Sequence, residues 1–237
     1  MTTVVHKCTV SQYLGSGSDQ IDLHLTYRLG HTTIGKILRK VCSALWDCLR
    51  EESFPEFTEN RWREIAEGFE KYSQFPNCLD AKYNFIYIGD GAFGKESDST
   101  VFERSNLYEQ LENNELHIPR GKPLPGTVSP NMPYMFVGDE AFSLSKNIMR
   151  PYSGKYLSDK KRIFNYSLSR ARRNVESAFG ILSNKWKIFH KPINANLDLS
   201  ILLVKTCCAL HNFVRARDEF KLVNTLYIEG SIGQQDF

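Results

Sequence analysis

Three acidic residues stand at positions where a sheet and its helices could bring carboxylates together. Asp139 follows a short apolar stretch that predicts a buried strand, and open α/β sheets place their sites beyond the carboxyl ends of strands. Glu176 lies in a predicted long helix, and Asp98 follows a glycine-rich loop at the start of another helix. Carboxylate oxygens are the ligands that Mg²⁺ and Mn²⁺ prefer. Two such ions about 4 Å apart can hold the attacking and leaving oxygens of a phosphodiester.

Each of these acids also has a simpler interpretation. Asp98 can cap its helix, Asp139 can belong to a turn, and Glu176 can pair with Arg172 or Arg173 one turn earlier on the helix. For each acid taken singly, the simpler interpretation is the better one. The metal hypothesis therefore depends on whether the fold brings the three carboxylates together.

The helix that carries Glu176 is strongly basic. Residues 146–191 hold 12 Lys and Arg against two acids, whereas residues 51–119 hold 15 Asp and Glu against six Lys and Arg. A basic block of this kind favours a polyanion such as DNA, whose phosphates would contact Arg162, Arg170, Arg172 and Arg173. Neutralisation of one block by the other explains the charges equally well.

A second basic stretch lies near the N-terminus. A short helix from Ser18 to Tyr27, a turn at Gly30 and a second helix with apolar residues at 3–4 spacing form a helix-turn-helix pattern. Lys36, Arg39 and Lys40 lie largely off the apolar stripe and could contact DNA. Plain packing of a helical hairpin is slightly favoured over DNA contact.

The remaining pattern predicts an α/β chain with three parts. Helices are expected from Thr58, from Ser97 or Asp98, over 158–184 and over 199–217, and strands over 83–88 and 134–137, with a proline-rich loop at 119–133. We divide the chain into a helical module (1–76), an α/β domain (77–217) and a polar tail (218–237). The tail is predicted to be frayed.

In the cluster of Cys207, Cys208 and His211, Cys207 and His211 share a predicted helix face and could ligate zinc. Two further ligands with the usual spacing are missing, so a buried structural role is the preferred interpretation. Six cysteines without a CxxC pair do not indicate a disulfide framework, and the N-terminus lacks the apolar core of a signal peptide. No uninterrupted apolar run is long enough to span a bilayer, which predicts a soluble intracellular protein without a membrane partner.

The chain from residue 80 to 215 resembles the PIF/Harbinger-type DDE transposases and the nucleases derived from them. The matching segments are residues 80–85, 91–98, 120–126, 137–142, 149–152, 164–180 and 207–212. Residues 27–34 resemble the N-terminal helix-turn-helix of that family, and Phe75-Pro-Asn-Cys78 resembles the approach to its catalytic domain.

The resemblance implies a ribonuclease H-like DDE catalytic domain behind an all-α, helix-turn-helix-like module. It implies a divalent metal ion (Mg²⁺ or Mn²⁺), DNA as partner, a Myb-like partner protein and a nuclear location. Asp139 and Glu176 match the second and third acids of the DDE set, and Asp98 matches a further acid of the metal site. The implied activity is metal-dependent hydrolysis or transfer of DNA phosphodiesters.

One block of the family pattern is absent. In the family, the Phe-Pro-Asn-Cys string leads into a strand that supplies the first acid, and further strands follow before the Asp-Ala-x-Tyr string. Here Leu79 joins Cys78 directly to Asp80 of that later string. We therefore expect a truncated sheet and weak or no catalysis. The alternatives are a non-catalytic DNA- or protein-binding remnant, and an incomplete gene model or splice form of an intact nuclease.

Overall fold

The described part of the protein is mostly helical and carries two small sheets. The computed structural model describes residues 2–79, 83–89 and 95–218. Within this part of the chain lie eight α-helices: α1 (Thr2–Ser16), α2 (Gln20–Tyr27), α3 (His31–Ser53), α4 (Glu59–Ser73), α5 (Asp98–Glu103), α6 (Asn106–Glu112), α7 (Asp159–Lys185) and α8 (Leu197–Asp218). It also holds a 3₁₀ helix (Lys187–His190) and four two-residue strands: β1 (Lys122–Pro123), β2 (Asn131–Met132), β3 (Phe136–Val137) and β4 (Ile148–Met149).

The larger hydrophobic core joins the two ends of the described chain. Leu14 of α1, Leu23 of α2, and Ile34 and Leu38 of α3 are buried together with Leu203 of α8. The apolar 3–4 spacing of α3 places these side chains on one face, and α8 is the main partner of that face. Removal of this apolar surface from water is the main source of stability here.

A second core lies beneath α4. The indole of Trp62 is fully buried among Leu79, Leu116, Tyr134 and Ile148. Its Nε1 donates a hydrogen bond of 2.6 Å to the carbonyl oxygen of Leu116, so the polar atom of this large side chain is satisfied. This core holds the β3–β4 pair next to α4 through Ile148 and Phe136.

The packing crosses the predicted boundary at residue 76. α1–α3 share their core with the end of α7 and with α8, whereas α4 contributes to the second core. The division into 1–76 and 77–217 thus follows the sequence motifs and not separate hydrophobic cores, and it stays a prediction. The predicted tail lies outside the described residues beyond Asp218.

The described residues form two sheets of two strands each. β1 pairs antiparallel with β2, and β3 pairs parallel with β4 in the register Phe136 to Ile148. The predicted strand at 134–137 is therefore present as β3. Val137 of this strand packs in a small cluster with Ala171 of α7. The observed fold is compatible with an α/β domain, while the ribonuclease H-like sheet stays a prediction.

The predicted strand at residues 83–88 is wrong. This segment lies against α8, where the side chain of Asn212 accepts a hydrogen bond from the amide of Phe85 (3.0 Å) and donates one to its carbonyl (2.7 Å). The Nε2 of His211 lies 2.7 Å from the carbonyl oxygen of Tyr83. Helix side chains therefore satisfy the backbone groups that a neighbouring strand would have paired.

The predicted helical hairpin is present as α2 and α3. Arg28 adopts a left-handed conformation (φ 54°) in the turn between them, and Gly30 is the N-cap of α3. DNA contact by this pair stays a prediction.

By length and composition alone, α8 could cross a membrane, because residues 197–217 have a mean hydropathy of 1.4. The helix contains no long uninterrupted apolar run, since Lys205 and several polar residues divide it. In this structure α8 is a core helix: Leu203, Cys207 and Ala209 have no exposed surface.

Candidate functional site

Asp139 is the first residue beyond strand β3. The amide of Gly138 donates a hydrogen bond of 2.8 Å to the carbonyl of Met149, which extends the β3–β4 pairing to the residue before Asp139. A Cβ on Gly138 would lie 2.9 Å from the side chain of Phe142, so only glycine fits before Asp139. The Oδ1 of Asp139 accepts a hydrogen bond of 2.8 Å from the amide of Ala141, which closes a tight turn. The turn interpretation of Asp139 is therefore confirmed, and its Oδ2 takes no part in this turn.

Helix α7 brings a guanidinium and a second carboxylate to this turn. The Nη2 of Arg172 lies 3.8 Å from the Oδ2 of Asp139, with both side chains more than a third exposed. Glu176 follows one turn later on the same side of the helix and is exposed. It forms no ion pair with any residue that the structure describes, so the expected pairing with Arg172 or Arg173 is absent there. Asp139 and Glu176 thus flank Arg172.

Asp98 is the first residue of α5 and is exposed. Ser97 caps the helix, because its Oγ accepts a hydrogen bond from the amide of Thr100 at 3.3 Å. Within the described residues, no group of three or more His, Cys, Asp and Glu side chains is placed to hold a metal ion. The carboxylates have the right donor chemistry, but Asp98, Asp139 and Glu176 do not form a joint set of ligands. This arrangement does not fit a divalent ion.

Residues 77–79 pair with the start of β3, on the side away from β4. The amide of Leu79 donates 2.8 Å to the carbonyl of Met135, and the amide of Met135 donates 2.9 Å to the carbonyl of Asn77. Cys78 and Met135 form a parallel bridge. Parallel strands end at the same edge of a sheet. A strand that continued in this register would therefore end beside Asp139.

The four arginines of the basic helix have different environments. Arg170 bonds within the protein, since its Nη2 donates a hydrogen bond of 2.7 Å to the carbonyl of Ser73, the last residue of α4. Arg172 faces Asp139, and Arg162 lies 3.8 Å from Asp159 with both groups widely exposed. Arg173 is exposed. The acids that meet Arg162 and Arg172 do not belong to the acidic block at 51–119.

The basic residues of α3 are all exposed. Lys36 and Lys40 face solvent, whereas Arg39 donates 2.8 Å from its Nη2 to the Oδ1 of Asn196. Asn196 also accepts from the amide of Leu199 at the start of α8. Arg39 thereby links α3 to the start of α8, and Lys36 and Lys40 stay open to a partner.

The cysteine–histidine cluster has a structural role. Cys207 and Cys208 are buried in the larger core, and burial raises the pKa of Cys208 to about 12. His211 is 1% exposed and bonds to Tyr83 through Nε2. Asn212, which sequence reasoning missed, fixes the 83–88 segment. Its signal is an amide side chain in a helix that the sequence predicts to be buried, because a buried amide requires hydrogen-bond partners.

Comparison with known proteins finds matches that include the region of the candidate site. The chain is 24% identical over 242 residues to a protein named "Protein ALP1-like" from Arabidopsis thaliana, an alignment that covers 85% of this chain. The chain spans 58% of the length of that relative. No solved structure matches the chain. The family described as DDE superfamily endonuclease matches residues 73–212, which include Asp98, Asp139 and Glu176. Since this match covers more than half of the sequence, the chain belongs to the DDE superfamily endonuclease family.

Proposed function

We propose that this protein is a DNA-binding, transposase-derived member of the DDE endonuclease family that cuts DNA weakly or not at all. The class of reaction would be metal-dependent hydrolysis or transfer of a phosphodiester, with Mg²⁺ or Mn²⁺. Asp139 and Glu176 would be the second and third acids of the set, and Asp98 an additional one. The observation that carries the proposal is the position of Asp139, at the end of β3 and against the helix that holds Glu176.

The loss of catalysis is attributed to the missing first strand. The parallel pairing of residues 77–79 with Met135 supports this, because a strand extended from Leu79 would end beside Asp139. An acid at the end of such a strand would join Asp139 and Glu176. Without it, the described residues offer too few carboxylates at one place for a metal ion.

A non-catalytic DNA- or protein-binding remnant is the second candidate. The observation that favours it is the guanidinium of Arg172, which lies 3.8 Å from the Oδ2 of Asp139 and competes with a metal ion for that oxygen. Under this hypothesis the basic helix remains in use while the chemistry is lost. A nuclear location and a Myb-like partner belong to both proposals, by similarity to the transposases that this chain resembles.

Plasmid nicking tests the catalytic proposal. The purified chain should not nick supercoiled plasmid with Mg²⁺ or Mn²⁺. Insertion of a family-like block between Cys78 and Asp80 should restore nicking, and Glu176→Gln in the restored protein should abolish it again. Glu109→Gln in the restored protein is the matched control, because it makes the same substitution at an exposed glutamate outside the proposed site and should leave nicking unchanged.

Two results would contradict this proposal. Metal-dependent nicking by the unmodified chain that Asp139→Asn removes would show that the first acid is not needed. Absence of nicking in a folded, DNA-binding restored protein would favour the non-catalytic remnant.

A further inference from the structure

Three exposed tyrosines lie among cations at the start of α7. Tyr156 is fully exposed, Tyr166 is 66% exposed and Tyr152 is 49% exposed. Residues 152–166 also contain Lys155, Lys160, Lys161 and Arg162, against the single acid Asp159. We call this region, residues 152–166, the tyrosine surface. Exposed aromatic rings and cations thus alternate along one short stretch of chain.

The loop before α7 is fixed on the helix. The amide of Tyr152 donates 2.8 Å to the Oδ1 of Asn165, and the Nδ2 of Asn165 donates 2.9 Å to the carbonyl of Tyr152. The ring of Tyr152 meets that of Phe164 edge to face at 5.3 Å, and the Nζ of Lys161 lies 4.8 Å from its centroid. Tyr152 is therefore held in place beside the second turn of α7.

The other two tyrosines flank Arg162. Tyr156 and Arg162 line an open concavity at the N-terminus of α7, together with Lys155 and Ser158. Tyr166 follows Arg162 by one helical turn and shares its face. The ion pair of Arg162 with Asp159 is exposed and weak, so Arg162 can bind a phosphate.

We propose that the tyrosine surface binds single-stranded DNA, with bases stacked on Tyr156 and Tyr166 and phosphates on Lys155 and Arg162. Surfaces for single strands combine a positively charged path with aromatic side chains on which bases stack. In a duplex the base faces are already stacked on one another and are not available to these rings. This inference rests on the proposed DNA-binding function and adds that the preferred DNA is unpaired, as at a nick or a frayed end.

A protein partner fits this surface less well. Protein interfaces favour tyrosine and arginine but are depleted in lysine. The tyrosine surface contains three lysines, at positions 155, 160 and 161. Its composition matches a phosphate backbone with exposed bases.

Fluorescence anisotropy on the full chain tests the proposal. The probes are labelled oligothymidylate and a labelled mixed-sequence duplex of the same length. Tyr156→Ala and Tyr166→Ala should each weaken oligothymidylate binding by about 5-fold to 150-fold, the range of one base–aromatic stacking contact. Duplex binding should stay within about 2-fold in both variants because no stacking contact is lost. Tyr166→Phe, which keeps the ring, should retain the affinity of the parent.

Arg173→Ala separates this proposal from DNA binding in general. It lies outside the tyrosine surface, and it should weaken both probes and reduce the salt dependence by about one counterion. Tyrosine variants that bind oligothymidylate as tightly as the parent, while the duplex is still bound, would overturn the tyrosine surface alone. Failure of both probes to bind the parent would overturn the proposed DNA-binding function as well.

Discussion

His211 provides the clearest link between the fold and a measurable pH dependence. Its side chain is 1% exposed and lies between α8 and the 83–88 segment. Burial lowers the pKa of His211 from 6.5 to about 4, and the nearby cations Arg215 and Lys185 lower it further, whereas the hydrogen bond with Tyr83 acts in the opposite direction. Its Nε2 faces a carbonyl oxygen, so the neutral ring carries its hydrogen there. A second proton would go to Nδ1, which has no partner among the described residues.

The pKa values give the sign and the size of the effect. Because the folded state holds this proton less tightly than the unfolded state, stability is complete above the unfolded pKa and falls as pH decreases through 6.5 toward 4. At 1.36 kcal/mol per pKa unit, the full loss is about 3 kcal/mol. From about pH 7 to about pH 5, roughly 2 kcal/mol of this is lost.

Urea unfolding of the parent and of His211→Gln at these two pH values measures the contribution of His211 to the pH dependence of stability. The glutamine amide can donate to the Tyr83 carbonyl but does not titrate, so the pH dependence of the variant should be smaller by about 2 kcal/mol. His190→Gln, at an exposed histidine, should keep the pH dependence of the parent. Equal pH dependence in the parent and in His211→Gln would refute the assignment of the loss to this ring.

Three further predictions concern packing and reactivity. Arg170→Ala should destabilise the protein by about 1.5–3 kcal/mol in urea unfolding, because the carbonyl of Ser73 loses a charged donor, and an unchanged midpoint would contradict this. Leu203→Ala should cost about 2–5 kcal/mol in the same assay, since it opens a cavity in the larger core; a cost below about 1 kcal/mol would contradict that burial. A thiol reagent should label two of the six cysteines of the native protein, the exposed Cys8 and Cys48, and labelling of four or more before unfolding would contradict the burial of the others.

The long helices could be predicted because their apolar spacing matches the surfaces that they bury. Residues 158–184 and 199–217 were expected to be helical and are observed as α7 and α8 with ends shifted by one or two residues. The helix starts at Thr58 and at Ser97 or Asp98 were also predicted. The hydroxyls of Thr58 and Ser97 each accept a hydrogen bond from a backbone amide, so Ser97 and not Asp98 is the cap of α5. These features depend on interactions within a few residues of the chain.

Features that depend on distant partners were not predicted. Residues 83–88 have the composition of a strand, but a strand needs a neighbour, and the polar side chains of α8 satisfy this segment instead. Strands β1 and β2 lie in a proline-rich stretch that predicted a loop, since proline gives a poor strand signal. Helix α1 was not predicted, because its apolar side chains are explained only by the core that it shares with α3 and the 3₁₀ helix.

The candidate site was predicted as a set of residues but not as an arrangement. Family resemblance supplied Asp98, Asp139 and Glu176, and the match to the endonuclease family spans all three. It did not anticipate that Arg172 would face Asp139, or that Arg170 would be used to hold α4. Both contacts depend on the rotation of α7 about its axis, which residue types alone do not define.

The core shared by α1–α3 and α8 has a consequence for the order of folding during synthesis. The contacts that complete it are far apart in sequence: the hydroxyl of Thr206 bonds to the carbonyl of Cys42, and that of Ser53 to the carbonyl of Ala209. The first three helices therefore leave the ribosome long before the helix that covers them, and their apolar faces must wait for it. Contacts of such long sequence separation slow folding and prolong the exposure of apolar surface. A growing chain therefore leaves the apolar faces of α1–α3 uncovered until residues 197–218 emerge.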